Sequence, residues 1–205
     1  MEAATLRVGP AWRHVAPGKR GRKRGLSERQ RTVILMLDDT IMTETPPLTS
    51  CYGPKGQQVC VPLTGNHARR VVHGALNIRT GALLLLITEV WDQATHQYFL
   101  TMIRSHWRGW HIVLCEDRGT PHTAEESRAL ATQLHMELRF LPVATPALNA
   151  MDHLWRHMKA RGISNRTITS IDRATNAACQ YLLDLSPRER LKKAGVLSGK
   201  FWLAR

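Results

Sequence analysis

The sequence predicts an α/β domain in which helices pack on a mixed sheet, and three observations carry that prediction. Short apolar runs rich in branched residues alternate with stretches of helical periodicity from Thr32 to the end of the chain. Arg79-Thr80-Gly81 supplies a turn between two such runs, as an antiparallel meander requires. The chain has 205 residues, 43% of them hydrophobic, which is enough for one substantial core and too little for two large domains.

The elements follow in order. VILML, ending in Asp38-Asp39, is a continuous apolar run and reads as a buried central strand. Gln58 to Leu63 and Arg69 to Ile78 read as strands, and Ala82 to Val90 completes the meander. Asp92 caps a helix in which Phe99, Met102, Ile103 and Trp107 recur at helical spacing. His111 to Cys115 is an apolar strand running into Glu116-Asp117. Thr123 followed by Glu126 has the pattern of a capping box for a helix reaching Leu134. Met136, Leu138 and Phe140 alternate with Glu137 and Arg139, as in a half-buried strand. Met151, Leu154, Trp155 and Met158 form one stripe of a helix over 149–160. A further helix carries Ile171, Ala174, Ala178, Tyr181 and Leu185, and another opens at Ser186-Pro187 and closes at Gly195. The expected organisation is a basic flexible arm over 1–31, a core over 32–165, and a helical extension over 166–205 that packs on the core. Trp107, Trp110 and Trp155 belong to apolar faces, and Phe201 with Trp202 docks the chain end on the core or on a second subunit.

Charge narrows the function. The net charge is +13, and residues 1–31 carry nine Lys/Arg against two Glu, so more than half of the excess lies in the arm. PGKRGRKRG cannot bury apolar surface, and Lys19, Arg20, Arg22, Lys23 and Arg24 are candidate contacts to DNA phosphates. Arg20-Gly21-Arg22 resembles the core of an AT-hook, with a solvated basic tail as the equal alternative. The longest uninterrupted apolar stretch, Ala82 to Ile87, is far shorter than a membrane span, so the expected setting is cytoplasmic, with no membrane partner. Four cysteines at irregular spacing exclude a zinc ribbon and read as reduced packing residues. His153 and His157 lie one helical turn apart but have no third ligand in a zinc pattern.

Asp38 and Asp117 each fall at the end of an expected strand, where open α/β sheets bind ligands, and Asp152 borders the apolar stripe of its helix. Three ionised carboxylates in one place repel each other, and their hard oxygens suit Mg²⁺ or Mn²⁺. Two such ions promote in-line displacement at a phosphodiester, so a basic chain with this cluster is expected to process DNA. Taken singly, each Asp also reads as a turn or cap residue, and Asp152 as the partner of Arg156.

Four blocks carry a resemblance over residues 32–203: VILMLDDT, CYGPKGQQV, IVLCEDRGTPH and LPVATPALNAMDHLW. They resemble the bacterial insertion-sequence branch of the mariner superfamily of transposases, the DDE superfamily endonucleases. The first block is similar to a strand ending in Asp-Glu, with Asp38 in the metal-binding place and Asp39 for Glu. The second keeps Gly56-Gln57, with Tyr52 where Trp is commoner. The third keeps an Asp and a His five residues on, Asp117 and His122, with Arg118 for the usual Asn. In the fourth the acid is Asp152, preceded by Asn149, while Val143-Ala144 and Ala150 replace Pro-Tyr and Pro. Thirty-four residues lie between Asp117 and Asp152, the interval of this superfamily.

The resemblance implies a ribonuclease-H-like fold, a mixed five-stranded sheet flanked by helices. It makes Asp38, Asp117 and Asp152 the catalytic and metal-binding triad for two Mg²⁺ or Mn²⁺ ions, with His122, Asp39 and Asn149 as auxiliaries. DNA cleavage and strand transfer at element ends, a TA target, a homodimer and a bacterial, nucleoid-associated location are implied likewise. The family carries helix-turn-helix modules ahead of this core, and the chain reads as a piece lacking them. The alternative is a catalytically silent remnant that binds DNA and inhibits intact transposase by joining its dimers. A third reading, a ribonuclease H acting on RNA–DNA hybrids, is opposed by the four blocks.

Overall fold

In the computed structural model, which describes residues 31–204, β1 (Thr32–Thr43) is the strand around which the rest is arranged. β2 (Arg69–Asn77) pairs antiparallel with it and β3 (Leu83–Thr88) antiparallel with β2, which gives the expected meander. On its other side β1 pairs parallel with β4 (His111–Glu116), and β4 with β5 (Met136–Phe140). The sheet has five strands in the order β3-β2-β1-β4-β5. The basic residues Lys19, Arg20, Arg22, Lys23 and Arg24 lie outside the described residues.

Both faces of the sheet are covered, as its continuous apolar strands require. One face is buried by α1 (Gln93–His106) and α3 (Glu125–Gln133), where Phe99, Leu100 and Ile103 pack on Leu35, Leu37 and Leu114. The opposite face is covered by α4 (Ala150–Gly162), α5 (Ile171–Asp184) and the chain end, with Met151, Leu154, Trp155 and Leu182 on Met36, Val72 and Leu76. α6 (Pro187–Lys193) starts with a full capping box, Ser186 with Glu189. Arg190 holds it to the rest by donating to Leu182 O, Leu183 O and Gly81 O. Gly81 is needed at that turn for two reasons: its φ is +72°, and a Cβ would lie 2.2 Å from Pro187 O. Phe201 joins the core, while the Trp202 indole donates to Leu148 O, so the chain end docks on its own domain. Trp107 and Trp155 are buried and Trp110 is half-buried.

Four expectations are corrected. Gln58–Leu63 forms no strand: no neighbouring strand offers it hydrogen bonds, and Val59 and Leu63 are exposed. The segment between β1 and β2 is instead tied at its neck by Glu44 N–H to Ala68 O, and by Asn165 bonded to the backbone of Thr49. Thr123 caps nothing, because it ends the short helix α2 (Thr120–Thr123) and its hydroxyl is turned back to Gly119 O; the cap residue of α3 is Ala124, without a side-chain bond. β1 continues past Asp38 to Thr43, since its pairing with β2 outlasts its pairing with β4, which stops at Met36. Finally, Cys115 and Cys179 are packing residues but Cys51 and Cys60 are exposed.

Candidate active site

The alternation of β1 separates its two neighbouring acids. Leu35 and Leu37 face α1, so Asp39 emerges on that side; Met36 faces α4, so Asp38 emerges there. Opposite Asp38 in the ladder is Gly74, and a Cβ at Gly74 would lie 2.4 Å from the Met151 methyl and 2.6 Å from the Trp155 ring. The missing side chain lets α4 settle directly on the sheet. Asn149 then fixes the start of α4, accepting from Met151 N–H at 3.0 Å and donating to Leu37 O at 2.7 Å. Asp152, in the first turn of α4, is thereby brought to the same end of the sheet as Asp38.

Asp38, Asp117 and Asp152 line a single cleft of about 310 Å³, lined also by Leu141 to Pro146, Arg118 and Asn149. Burial, then the charges of Asp39, Asp117 and Asp152, push the Asp38 carboxyl up to about 7. Such a cluster of hard oxygens, crowded by like charge, is the donor set a divalent cation satisfies. Their oxygens are nevertheless more widely spread than those of one other group. Among the described residues, only His96, Glu116 and His122 bring three ligand-type atoms within 4.8 Å of one another. Asp152 is drawn instead into an ion pair with Arg156, the bland pairing that the helical spacing allows. Lys159, two turns further along α4, is a second cation of the site: burial lowers its pKa, while Asp152 and Asp38 raise it.

A separate buried network lies on the α1 side. The Asp117 carboxylate accepts from His122 Nδ1–H at 2.6 Å and from Gly119 N–H at 2.9 Å, and both bonds hold its pKa down. His122 Nε2–H donates to Asp39 at 2.9 Å. Burial opposes the charge on His122, but the two carboxylates outweigh it and push the imidazole up to about 10. Asp39 is held well below the usual carboxylate range: burial would raise it, and the contacts with His122 and His73 prevail. Beneath them burial pushes Glu116 up to about 8, and the same cause pushes His96 down to about 3. His96, Glu116 and His122 do not make a metal site as they stand, because both His122 nitrogens are already committed to carboxylates. His153 Nε2–H donates to Ala147 O, and among the described residues His153 and His157 belong to no group of three ligand-type side chains close enough to hold a metal ion.

The family described as DDE superfamily endonuclease matches residues 33–174, about 70% of the 205 residues. The chain belongs to that family. No curated protein matches it. Solved structures similar to this DDE-family chain include the mariner Mos1 paired-end complex with Mg, at 17% identity and TM-score 0.62, covering 87% of this chain and 55% of that one. The Mos1 strand transfer complex follows at 16% identity and TM-score 0.61, covering 83% and 52%. The Mos1 transposase catalytic domain with raltegravir and Mg gives 14% identity and TM-score 0.56, covering 83% and 80%. The shared fold is ribonuclease-H-like, as the motif blocks imply. The chain spans about half the length of the Mos1 chains in the DNA complexes.

Asp38, Asp117 and Asp152 are thus gathered at one cleft, Asn149 beside them, and Asp39 and His122 on the face behind. Sequence reasoning missed His73, Trp91, Gly74 and Lys159. Two of these left a signal: His73 interrupts the otherwise apolar run of β2, and Lys159 lies seven residues after Asp152, hence on the same helical face.

Proposed function

We propose that this chain is the catalytic part of a transposase, cleaving DNA at the ends of a mobile element and joining the freed 3′ ends to target DNA with the help of two Mg²⁺ or Mn²⁺ ions. The observation that carries the reading is the meeting of Asp38, Asp117 and Asp152, one from each of three motif blocks, at a single cleft. Asp38 and Asp117 would hold the metals and Asp152 would complete the second position. Bound there, the ions supply activation of the attacking oxygen and charge stabilisation at the departing one. The chain's own residues supply the rest. Asn149 sets the spacing between Asp38 and Asp152, and Asp152, now paired with Arg156, would exchange that partner for a bound cation. Lys159 and Arg118 border the acids and attract the phosphate backbone, while Leu141 to Pro146 lines the same cleft.

DNA is the proposed partner, both the element end and a TA-containing target, and the basic residues Lys19 to Arg24 would hold its phosphates. The proposed active form is a homodimer. Leu48, Tyr52, Val59 and Leu63 all stand exposed on the segment between β1 and β2, an apolar surface suited to a second copy. No helix among the described residues is long and apolar enough to cross a membrane, in keeping with a cytoplasmic setting.

The test is nicking of supercoiled plasmid with Mg²⁺ or Mn²⁺ by the wild type, Asp117→Asn and Asp152→Asn. The expected result is metal-dependent nicking that falls at least about 100-fold in both variants, as loss of a group acting in the transition state requires. Nicking that persists unchanged in either variant overturns the assignment.

A further inference from the structure

The cleft-lining acid Asp117 is held from behind by a chain of contacts that ends at His73, beside Phe99 of α1. Its Oδ1 accepts from both His122 Nδ1 and Gly119 N, which leaves Oδ2 for the cleft. His122 Nε2 reaches Asp39 Oδ2, the oxygen that also accepts from Trp91 Nε1–H at 2.9 Å. Both nitrogens of the His122 ring therefore face carboxylate oxygen, and both carry protons. On the other side, Asp39 Oδ1 meets His73 Nδ1 at 2.6 Å, off the line of a regular hydrogen bond. The opposite end of His73 is fixed by elimination. Thr88 gives its only hydroxyl proton to Val90 O at 2.7 Å, so it accepts from His73 Nε2–H at 2.9 Å. The histidines have no solvent to turn into, since His73 is 0% and His122 1% exposed. Even a Cβ on Gly119 would press on Asp117 Oδ1 at 3.1 Å and His122 Nδ1 at 3.3 Å.

We propose that Asp39 is the anchor of a positioning chain, His73 to Asp39 to His122 to Asp117, and is not itself a metal ligand. Asp39 Oδ2 accepts from His122 and Trp91, Oδ1 lies against His73 Nδ1 at 2.6 Å, and the strand alternation turns the carboxylate away from the face that Asp38 shares with Asp152. The chain locks the Asp117 carboxylate in one orientation with Oδ2 presented to the cation. This deepens the functional reading and rests on Asp117 binding a divalent ion. Groups that orient a metal ligand are worth about 10–100-fold in metal affinity.

The test is Mn²⁺ binding to the full chain without DNA, followed by electron paramagnetic resonance, with thermal melting of each variant alongside. His122→Gln and Asp39→Asn are expected to weaken Mn²⁺ by about 10–100-fold. Asp39→Glu, which restores the carboxylate, is expected to recover most of the loss. The deciding measurement is a double-mutant cycle. If Asp39 acts through Asp117, Asp39→Asn costs nothing further on an Asp117→Asn background; an equal additional loss there makes Asp39 a ligand and overturns the proposal. Should Asp39→Asn not fold, His73→Asn reports on the next link and is expected to weaken Mn²⁺ while leaving Asp39 in place. Unaltered binding in His122→Gln and Asp39→Asn, with binding lost in Asp117→Asn, sinks the chain and leaves the metal reading intact. Unaltered binding in Asp117→Asn sinks the metal reading itself, and the proposal with it.

Discussion

A single amide, that of Asn149, spans the gap between β1 and α4, donating to Leu37 O and accepting from Met151 N–H while 2% exposed. Replacement by Ala removes a helix cap, worth about 1 kcal/mol, and strands a buried carbonyl at about 1–3 kcal/mol. Asn149→Ala is therefore expected to lose roughly 2–4 kcal/mol in urea unfolding, and an effect under about 0.5 kcal/mol would contradict the bridging role. The cysteines divide just as sharply. Cys51 and Cys60 are exposed, whereas burial pushes the thiols of Cys115 and Cys179 up to about 11 and about 12. A thiolate-directed reagent at pH 8 should modify two cysteines in the folded chain and all four in urea. Rapid modification of Cys179 without denaturant would show that α5 does not pack as described.

At the scale of elements, the placement of α4 depends on Gly74. A methyl added there meets Met151 and Trp155 at distances no packed pair tolerates, so Gly74→Ala must lift the helix or bend the strand. Overpacking of this kind costs about 1–3 kcal/mol. Because α4 carries Asp152, the variant is expected to lose metal-dependent nicking at temperatures where circular dichroism still reports it folded. Full activity in a folded Gly74→Ala protein would separate Asp152 from the reaction. Such dependence explains what the chain made legible and what it did not. Four of the paired strands announce themselves through apolar runs, β5 through the alternation of Met136, Leu138 and Phe140 with Glu137 and Arg139, and α1 through Asp92, whose capping box with Thr95 is local chemistry. Gln58–Leu63 has the composition of a strand but no partner, and pairing is not a property of the segment itself. The three acids are readable because each sits in a contiguous motif. His73, Trp91, Gly74 and Lys159 reach the site through cross-strand register and helix docking, which no local pattern records.

For the molecule as a whole, the distribution of charge along the sequence decides how the proposed function would bring it to DNA. Residues 32–205 carry twenty Lys/Arg against fourteen Asp/Glu, a net +6, while residues 1–31 carry nine against two, a net +7. Among the described residues Arg156, the cation paired with Asp152, is already engaged, which leaves less charge to attract phosphate. The proposed DNA affinity is thus expected to reside largely in residues 1–31, and counterion release makes that measurable. Each phosphate neutralised contributes about −0.9 to the slope of log K against log salt, so losing five contacts flattens it by roughly 4–5. Removing residues 1–30 should accordingly weaken binding to a duplex of any sequence and reduce the slope by that amount, with thermal melting of the remainder unchanged. If the slope is instead preserved, phosphate contact lies within residues 31–205, and Arg118 at the cleft and Lys159 on α4 become the first residues to substitute.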